Sequence, residues 1–187
     1  MRTLWLVRHA TPLIAPGTCY GSLDVAADAA HTATAADALN LALPAGAMLV
    51  SSPLRRCRQL ATALSHRRPT VPMRHDPRLA EMHFGSWEGR TWQDIGMPAL
   101  DAWTADFADH APGGGETVQG FIERVASAMD DVPEGDTAWI THAGVVRATA
   151  LIVAGRRKVT SAGEWPSRAI AFGSWLRLSL PELNRPA

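Results

Sequence analysis

The sequence has few cysteines and almost no lysine. Its two cysteines, Cys19 and Cys57, stand far apart and form no Cys-x-x-Cys motif. That scarcity excludes the disulfide framework of small secreted domains and favours a reducing compartment. Lys158 is the single lysine, so arginine supplies 17 of the 18 basic side chains. Arginine binds phosphate oxygens in a bidentate manner, although a GC-rich genome also gives this composition.

Excess charge of either sign and long apolar runs are also absent. The 18 basic and 18 acidic residues give a formal net charge of zero, so a nucleic-acid-binding surface is not expected. The first apolar run ends at Arg8 and His9, which is too soon for a signal peptide. No stretch approaches the roughly 20 apolar residues of a membrane span. We therefore predict a cytoplasmic protein without a membrane segment.

Strand-like and helix-like segments alternate along the chain. Five strands are predicted, at residues 3–8, 48–50, 71–74, 137–141 and 170–180, with a tail from Pro181 onward. Helices are predicted over residues 26–43, 53–66, 93–109 (as one helix or two), 117–129 and 144–154. The 187 residues, 47% of them hydrophobic, are enough for one domain with its own core. The fold predicted for residues 1–187 is therefore a three-layer α/β/α domain with a mostly parallel sheet.

Two further expectations concern local structure. Ser52 is predicted to cap the second helix, with Pro53 at the first helical position. Residues 77–115 are rich in tryptophan, glycine and charge, and they are predicted to form a lid or wall over the site.

Two histidines stand where predicted strands end. Arg8 and His9 follow the run Leu4–Val7, and His142 follows the apolar run that ends at Thr141. The carboxyl ends of strands are where open α/β sheets build their sites. Histidine acts as a nucleophile, an acid or an anion binder near neutral pH. The two histidines are therefore expected to face each other across one pocket.

Five sequence blocks in the same order resemble those of the histidine phosphatase superfamily, also called phosphoglycerate-mutase-like. They are Leu-Val-Arg-His-Ala-Thr at 6–11, Ser-Ser-Pro-Leu-Arg-Arg at 51–56, the block at 79–89, Pro-Gly-Gly-Gly-Glu-Thr at 112–117, and Thr-His-Ala-Gly-Val-Val-Arg at 141–147. An Arg-His dipeptide alone would be a weak signal, but five ordered blocks are specific. The resemblance implies a phosphomonoesterase that needs no metal and no cofactor and acts on a small-molecule ester.

The resemblance also implies roles for individual residues. His9 would attack phosphorus, because a covalent phosphohistidine splits a difficult hydrolysis into two steps. Arg8 and Arg56 would bind the phosphoryl oxygens with their planar guanidinium groups. His142 would donate a further hydrogen bond, and Glu81 would protonate the leaving alkoxide and then activate water.

The resemblance assigns less specific roles to other residues near these motifs. Thr11 is predicted to bind phosphate, with a local hydrogen bond as the equal alternative. Ala10 stands where the family usually has glycine. Because glycine has no Cβ, this difference bears on how closely the backbone can approach a bound phosphate. Arg55 and Arg58 flank Arg56 and are interpreted as surface charges. The remaining five histidines lack metal-ligand spacing.

The substrate is suggested by one further block. Residues 16–24, Pro-Gly-Thr-Cys-Tyr-Gly-Ser-Leu-Asp, resemble a pattern of the α-ribazole phosphatases, which remove the 5′-phosphate of α-ribazole phosphate in cobalamin synthesis. Three alternatives stay open: a phosphatase for phosphoproteins or sugar phosphates, a phosphoglycerate mutase, and a phosphate-binding module without catalysis. The oligomeric state leaves no trace in the sequence.

Overall fold

A computed structural model describes residues 1–167 and 170–180. Its strands are β1 Arg2–Arg8, β2 Met48–Ser51, β3 Met73–His75, β4 Gly135–Thr141 and β5 Trp175–Leu180. Its α-helices are α1 Ala29–Ala42, α2 Arg55–Arg67, α3 Trp92–Ile95, α4 Met97–Ala105, α5 Val118–Asp130 and α6 Ala143–Val153. Short 3-10 turns lie at Pro77–Leu79, Gly85–Trp87, Pro112–Gly114 and Ala162–Glu164. The predicted tail from Pro181 lies outside the described residues.

The five strands form one sheet in the order β3-β2-β4-β1-β5. The pairs β3-β2, β2-β4 and β4-β1 are parallel, and β5 runs antiparallel to β1. In the β1-β4 register, Arg8 lies opposite Thr141. His9 and His142 therefore leave the sheet side by side at its carboxyl edge, as the sequence predicted.

The two faces of the sheet bury alternate side chains, because successive residues of a strand point to opposite sides. Leu4 and Leu6 pack in one buried cluster with residues of α5 and α6. Trp5 and Val7 pack in a second cluster with residues of α1 and α2. Helices thus cover both faces, which confirms the predicted three-layer architecture. No helix in the described part of the chain is long and apolar enough to span a bilayer.

Two helices begin later than predicted. Helix α1 begins at Ala29, because the Asp28 side chain accepts a hydrogen bond from the His31 amide and caps the first turn. Helix α2 begins at Arg55, and its N-cap residue Leu54 makes no side-chain capping bond. A carboxylate oxygen of Asp24, on a distant loop, accepts from the Arg55 amide instead.

The predicted capping role of Ser52 is therefore wrong. Its hydroxyl accepts a long hydrogen bond from the Leu54 amide, 3.3 Å, and is also bonded to the ring of His142. The local sequence pattern indicated a helix cap, but the Ser52 hydroxyl instead makes a tertiary contact with His142.

The last strand is also shorter than predicted. It begins at Trp175 rather than at residue 170, because a turn at Phe172 and Gly173 precedes it. The Gly173 amide lies 3.1 Å from the carbonyl oxygen of Arg8 and 3.0 Å from that of His9. Gly173 has a φ of +71°, which side-chain-bearing residues rarely adopt. This turn places Phe172 beside the end of β1.

Residues 77–115 contain α3, α4 and three 3-10 turns. Gly96 separates the two helices with a φ of +83°, so the predicted helical region at 93–109 resolves into two short helices. The turns at Gly85 and Gly113 pack backbone against backbone: a Cβ added to Gly85 would lie 2.1 Å from the Gly113 carbonyl oxygen. Two distant parts of the 77–115 segment are thereby packed against each other, close to the start of α5.

Candidate active site

A cavity of about 220 Å³ opens at the carboxyl ends of β1 and β4. Its lining residues come from the ends of strands, the loop before α1, the 77–115 segment and the start of α6: Arg8, His9, Thr18, Tyr20, Gly21, Glu81, Phe84, Trp92, Ala143 and Arg147. The cavity therefore lies where the sequence placed the two histidines.

His9 is buried at the inner end of this cavity, with 2% of its surface exposed. Its Nδ1 lies 2.7 Å from the carbonyl oxygen of Ala10 and donates to it, because a carbonyl can only accept. Its Nε2 accepts from Nε of Arg56 at 3.3 Å. Burial and the nearby charges of Arg56 and Arg8 lower the pKa of His9 to about 3. His9 is therefore neutral at pH 7, with an unprotonated Nε2.

This carbonyl belongs to Ala10, which stands where the family usually has glycine. It is fully buried, and its peptide group makes the contact that fixes the tautomer of His9. The departure from the family pattern leaves that contact intact.

Arg56 is a fully buried cation beside His9. Its two terminal nitrogens donate to the carbonyl oxygens of Leu23, at 2.8 Å, and Gly21, at 2.6 Å. These carbonyls and the ring of His9 are neutral, so the contacts orient the guanidinium without neutralising its charge. A buried charge in this state favours binding of an anion.

Arg8 adds a second oriented guanidinium. It donates to the carbonyl oxygen of Ile170 at 2.6 Å, and its central carbon lies 3.7 Å from the centre of the Phe172 ring. Burial lowers its pKa, and Tyr20 opposes that effect. Arg8 still carries its charge at any physiological pH, because the pKa of a free guanidinium exceeds 12.

His142 lies against His9, with the ring centres 5.1 Å apart. It is fully buried, and its Nε2 lies 2.8 Å from the hydroxyl oxygen of Ser52. Burial, followed by the charge of Arg56, lowers the pKa of His142 well below its usual range. Arg8 and His9 line the cavity, and the fully buried Arg56 and His142 lie directly behind His9.

Glu81 lies at the outer side of the cavity. One carboxylate oxygen accepts from the Gly144 amide at 3.0 Å, and the other accepts from the Met82 amide at 3.1 Å. Arg124 donates to the backbone carbonyl of Glu81 at 3.1 Å and so fixes the chain there. The Gly144 amide in the first turn of α6 thus holds the Glu81 side chain.

Known proteins can be compared with this arrangement. Residues 4–166 match the model of the histidine phosphatase superfamily (branch 1). The chain belongs to this superfamily. A glucosyl-3-phosphoglycerate phosphatase of Mycolicibacterium vanbaalenii is 29% identical over 195 residues, covering 96% of this chain and 84% of the relative. An adenosylcobalamin/alpha-ribazole phosphatase of Salmonella typhimurium is 30% identical, covering 72% of this chain and 67% of the relative.

Solved structures give the same family. A mycobacterial glucosyl-3-phosphoglycerate phosphatase superposes with a TM-score of 0.76 at 26% identity, covering 96% of this chain and 90% of that one. The protein TTHB049 from Thermus thermophilus superposes with a TM-score of 0.73 at 29% identity, covering 96% and 94%. The chain is accordingly a phosphatase of the histidine phosphatase superfamily.

Neither Thr11 nor Thr141 lines this cavity. The Thr11 hydroxyl lies 2.7 Å from Nδ1 of His31, and Thr11 does not line the cavity, so its geometry favours the local hydrogen bond. The Thr141 hydroxyl donates to the Leu79 carbonyl at 2.7 Å and is buried. Within the described residues, no group of three or more His, Cys, Asp or Glu side chains could hold a metal ion.

A second cavity of about 330 Å³ adjoins the first, and part of its lining comes from residues 77–115. The two share Glu81, Phe84, Trp92, Ala143 and Arg147. The second cavity is mostly aromatic, and its further lining includes Trp103, Phe107, Phe121 and Trp165. Trp87, in contrast, is buried with Cys19 and Ile95 and lines neither cavity.

Arg147 is the main functional candidate that the sequence analysis did not assign. It lies in α6 three residues after Gly144, so the two residues share a helix face. Its Nε is buried and has no hydrogen-bond partner in the described part of the chain. The i, i+3 spacing between Gly144 and Arg147 is visible in the sequence. It indicates that Arg147 lies near Glu81 only when the contact between Glu81 and the Gly144 amide is known.

Glu88 joins the two sides of the site. A single carboxylate oxygen accepts from the Ser22 amide at 2.8 Å, from the Ser22 hydroxyl at 2.9 Å and from the Phe84 amide at 2.9 Å. Residues 21–23 also supply the carbonyls that hold Arg56. Glu88 therefore connects the loop that holds Arg56 directly to Phe84, which lines both cavities.

A Gly144→Ala variant is expected to lose roughly a hundredfold in kcat, since a small displacement of a reacting group costs about that much. The added Cβ would lie 2.1 Å from one carboxylate oxygen of Glu81 and would force that side chain to move. Steady-state kinetics check this, with Gly163→Ala as the control, because a Cβ there meets nothing closer than 3.9 Å. Unchanged turnover in Gly144→Ala would show that the position of Glu81 does not matter.

Proposed function

We propose that this phosphatase hydrolyses phosphomonoesters through a phosphohistidine on Nε2 of His9. The observation that carries the proposal is the contact of His9 Nδ1 with the Ala10 carbonyl, which leaves Nε2 with a lone pair beside two cations. A neutral imidazole with a fixed tautomer is the form of histidine that can attack phosphorus.

The reaction has two displacement steps. Nε2 of His9 forms a bond to phosphorus as the bond from phosphorus to the ester oxygen breaks. Glu81, protonated at the start, gives its proton to the leaving alkoxide and becomes a carboxylate. A water molecule then attacks the phosphohistidine, Glu81 takes one proton from it, and inorganic phosphate leaves as His9 regains its lone pair.

The positive charge for both steps comes from side chains. Arg8 and Arg56 are oriented by carbonyl oxygens before substrate arrives, so little reorganisation is needed when charge develops on the phosphoryl oxygens. His142 adds a hydrogen bond to the same group. Metal-independent turnover follows from this proposal.

The leaving group would occupy the aromatic cavity. Glu81 borders both cavities, and the acid that protonates a leaving group must lie next to the ester oxygen. Segment 77–115 supplies much of the aromatic wall, including Phe84, Trp92 and Trp103. Stacking on aromatic rings suits a flat aromatic base. These features, with the Cys-Tyr-Gly block at 19–21, support α-ribazole 5′-phosphate as the substrate.

A second candidate is supported by Arg147. This guanidinium lines both cavities, and its Nε has no partner within the described residues. A carboxylate on the leaving group would neutralise it through charge-assisted hydrogen bonds. Glucosyl-3-phosphoglycerate has such a carboxylate, and relatives of this chain are named as phosphatases of that ester. Its sugar could also pack on the aromatic wall.

Phosphate release in EDTA separates these candidates. The panel contains α-ribazole 5′-phosphate, glucosyl-3-phosphoglycerate, and p-nitrophenyl phosphate as a generic ester. A kcat/KM for the ribazole ester at least about a hundredfold above the others would support the first candidate. Preference for the carboxylate ester would replace it with the second. Turnover of the generic ester alone would discard both substrates, and no turnover of any ester would favour a mutase or a binding module.

Replacing Arg147 with leucine sharpens this comparison. If α-ribazole 5′-phosphate is the substrate, its kcat/KM should change by less than about threefold, because its leaving group has no anion to pair. If the carboxylate ester is the substrate, its kcat/KM should fall by roughly ten- to a hundredfold. Arg55→Leu is the control, since Arg55 is exposed on α2 and does not line either cavity.

A further inference from the structure

Ser52 and His142 form a buried pair behind the phosphate end of the cavity. The hydroxyl oxygen of Ser52 lies 2.8 Å from Nε2 of His142, and both residues are fully buried. Strand pairing brings them together, because β2 lies beside β4 and the Ser52 amide donates to the Ile140 carbonyl at 2.9 Å. These backbone contacts fix the positions from which the two side chains meet.

Only one ring nitrogen of His142 carries a proton, because the imidazole is neutral in this environment. A hydrogen bond from Nδ1 or Nε2 to a phosphoryl oxygen requires the proton on the nitrogen that faces the substrate. A neutral imidazole can carry its proton on either nitrogen, so a neighbouring group must fix the tautomer protonated on the nitrogen that faces the substrate.

The donors around Ser52 decide which nitrogen is protonated. The Ser52 hydroxyl oxygen already accepts from the Leu54 amide at 3.3 Å, so its own hydrogen is available to donate. The nearest strong acceptor is Nε2 of His142. The alternative, with Nε2 donating to Ser52, would leave the hydroxyl hydrogen of Ser52 with only the sulfur of Cys57, a weak acceptor.

Cys57 is compatible with the same assignment. Its sulfur lies 3.4 Å from Nε2 of His142, 3.9 Å from Nδ1 of the same ring and 3.5 Å from the carbonyl oxygen of Thr141. Burial raises the pKa of Cys57 to about 12, so the residue is a thiol and its hydrogen can go to that carbonyl. Cys57 therefore does not need a proton from Nε2.

We infer that Ser52 is a positioning residue that holds His142 in the tautomer protonated on Nδ1. Ser52 donates to Nε2, and Nδ1–H is then the donor left for the transferring phosphoryl group. The consequence for catalysis rests on the proposed function, but the tautomer itself does not. The serine whose local pattern indicated a helix cap thus acts on the second histidine of the site.

Ser52→Ala tests this inference, with Ser51→Ala as the matched control. Ser51 is an equally buried serine, but its hydroxyl donates to the Ser52 carbonyl at 2.9 Å and has no contact with His142. In Ser52→Ala, kcat should fall by about ten- to a hundredfold, with a smaller change in KM. Ser51→Ala should keep kcat within about threefold of the parent.

Nitrogen NMR of labelled protein reads the tautomer directly. In the parent and in Ser51→Ala, the ring of His142 should show a protonated Nδ1 and an unprotonated Nε2. In Ser52→Ala, the proton should move to Nε2 or become shared between the two nitrogens. A retained Nδ1–H tautomer in a folded Ser52→Ala protein would overturn the inference, and so would equal losses of kcat in the two variants.

The NMR result also separates this inference from the proposed function. A parent protein that hydrolyses no ester but keeps the Nδ1–H tautomer would contradict the proposed function and leave the role of Ser52 intact. Normal hydrolysis with His142 protonated on Nε2 would contradict the inference and leave the proposed function intact.

Discussion

His9→Ala is expected to lower kcat by about ten-thousandfold on every phosphomonoester, because a covalent route loses its nucleophile entirely. The parent enzyme, quenched in alkali during turnover of a labelled ester, should carry phosphate that acid releases, as expected of a phosphohistidine. The variant should carry none. His31→Ala is the control, since His31 contacts Thr11 and lies outside the cavity. Labelling or turnover of His9→Ala within tenfold of the parent would contradict the nucleophile assignment.

The protonation state of His9 adds a pH test to this prediction. Its pKa in the folded protein is about 3, below the roughly 6.5 of an unfolded histidine. The unfolded chain therefore binds this proton first, so the free energy of unfolding should fall as pH drops from about 6.5 towards 3. Above pH 6.5 the contribution is fully present. Urea unfolding at pH 7 and at pH 5 should show a smaller decrease for His9→Ala than for the parent.

Glu81→Gln should separate the two chemical steps. With an alkyl ester, kcat should fall by about a hundred- to ten-thousandfold, because the alkoxide leaves without a proton. With p-nitrophenyl phosphate the first step should survive, since nitrophenolate is a stable anion. Dephosphorylation still needs the base, so the variant should release one rapid equivalent of nitrophenol and then turn over slowly. Stopped-flow absorbance measures this burst.

The control for this variant is Glu123→Gln, on the exposed side of α5. It should behave as the parent on both esters. If Glu81→Gln shows no burst and loses the same factor on both esters, Glu81 does not transfer the proton. An unchanged pH profile would lead to the same conclusion.

The fold and the positions of His9 and His142 could be predicted from the sequence. At these positions the local hydrophobic pattern and the pairing of strands indicate the same structure. The apolar run of β1 ends at Arg8, that of β4 ends at Thr141, and parallel pairing brings the following histidines together. The two-sided burial of β1 likewise follows from alternation along a strand. These features depend on short segments whose periodicity is visible in the sequence.

The remaining features depend on contacts between distant segments. Ser52 has the local signature of a cap, yet its partner is His142. Phe172 contacts Arg8 because a turn, and not a continuous strand, precedes β5. Arg147 gains its meaning from a cavity built by the 77–115 segment. No local pattern encodes such pairings, so the sequence alone could not identify them.

The contacts of Glu88 have a consequence for substrate choice. This one carboxylate ties the loop behind Arg56 to the wall that begins at Phe84, so the phosphate end and the ring end of the site cannot separate independently. Under the proposed function, the distance between the bound phosphate and the bound leaving group is then set by the protein before substrate arrives. An ester in which the phosphate and the rest of the leaving group are too close together or too far apart would lose its contact with one end of the site. The enzyme would then select substrates by this separation as well as by the chemistry of the leaving group.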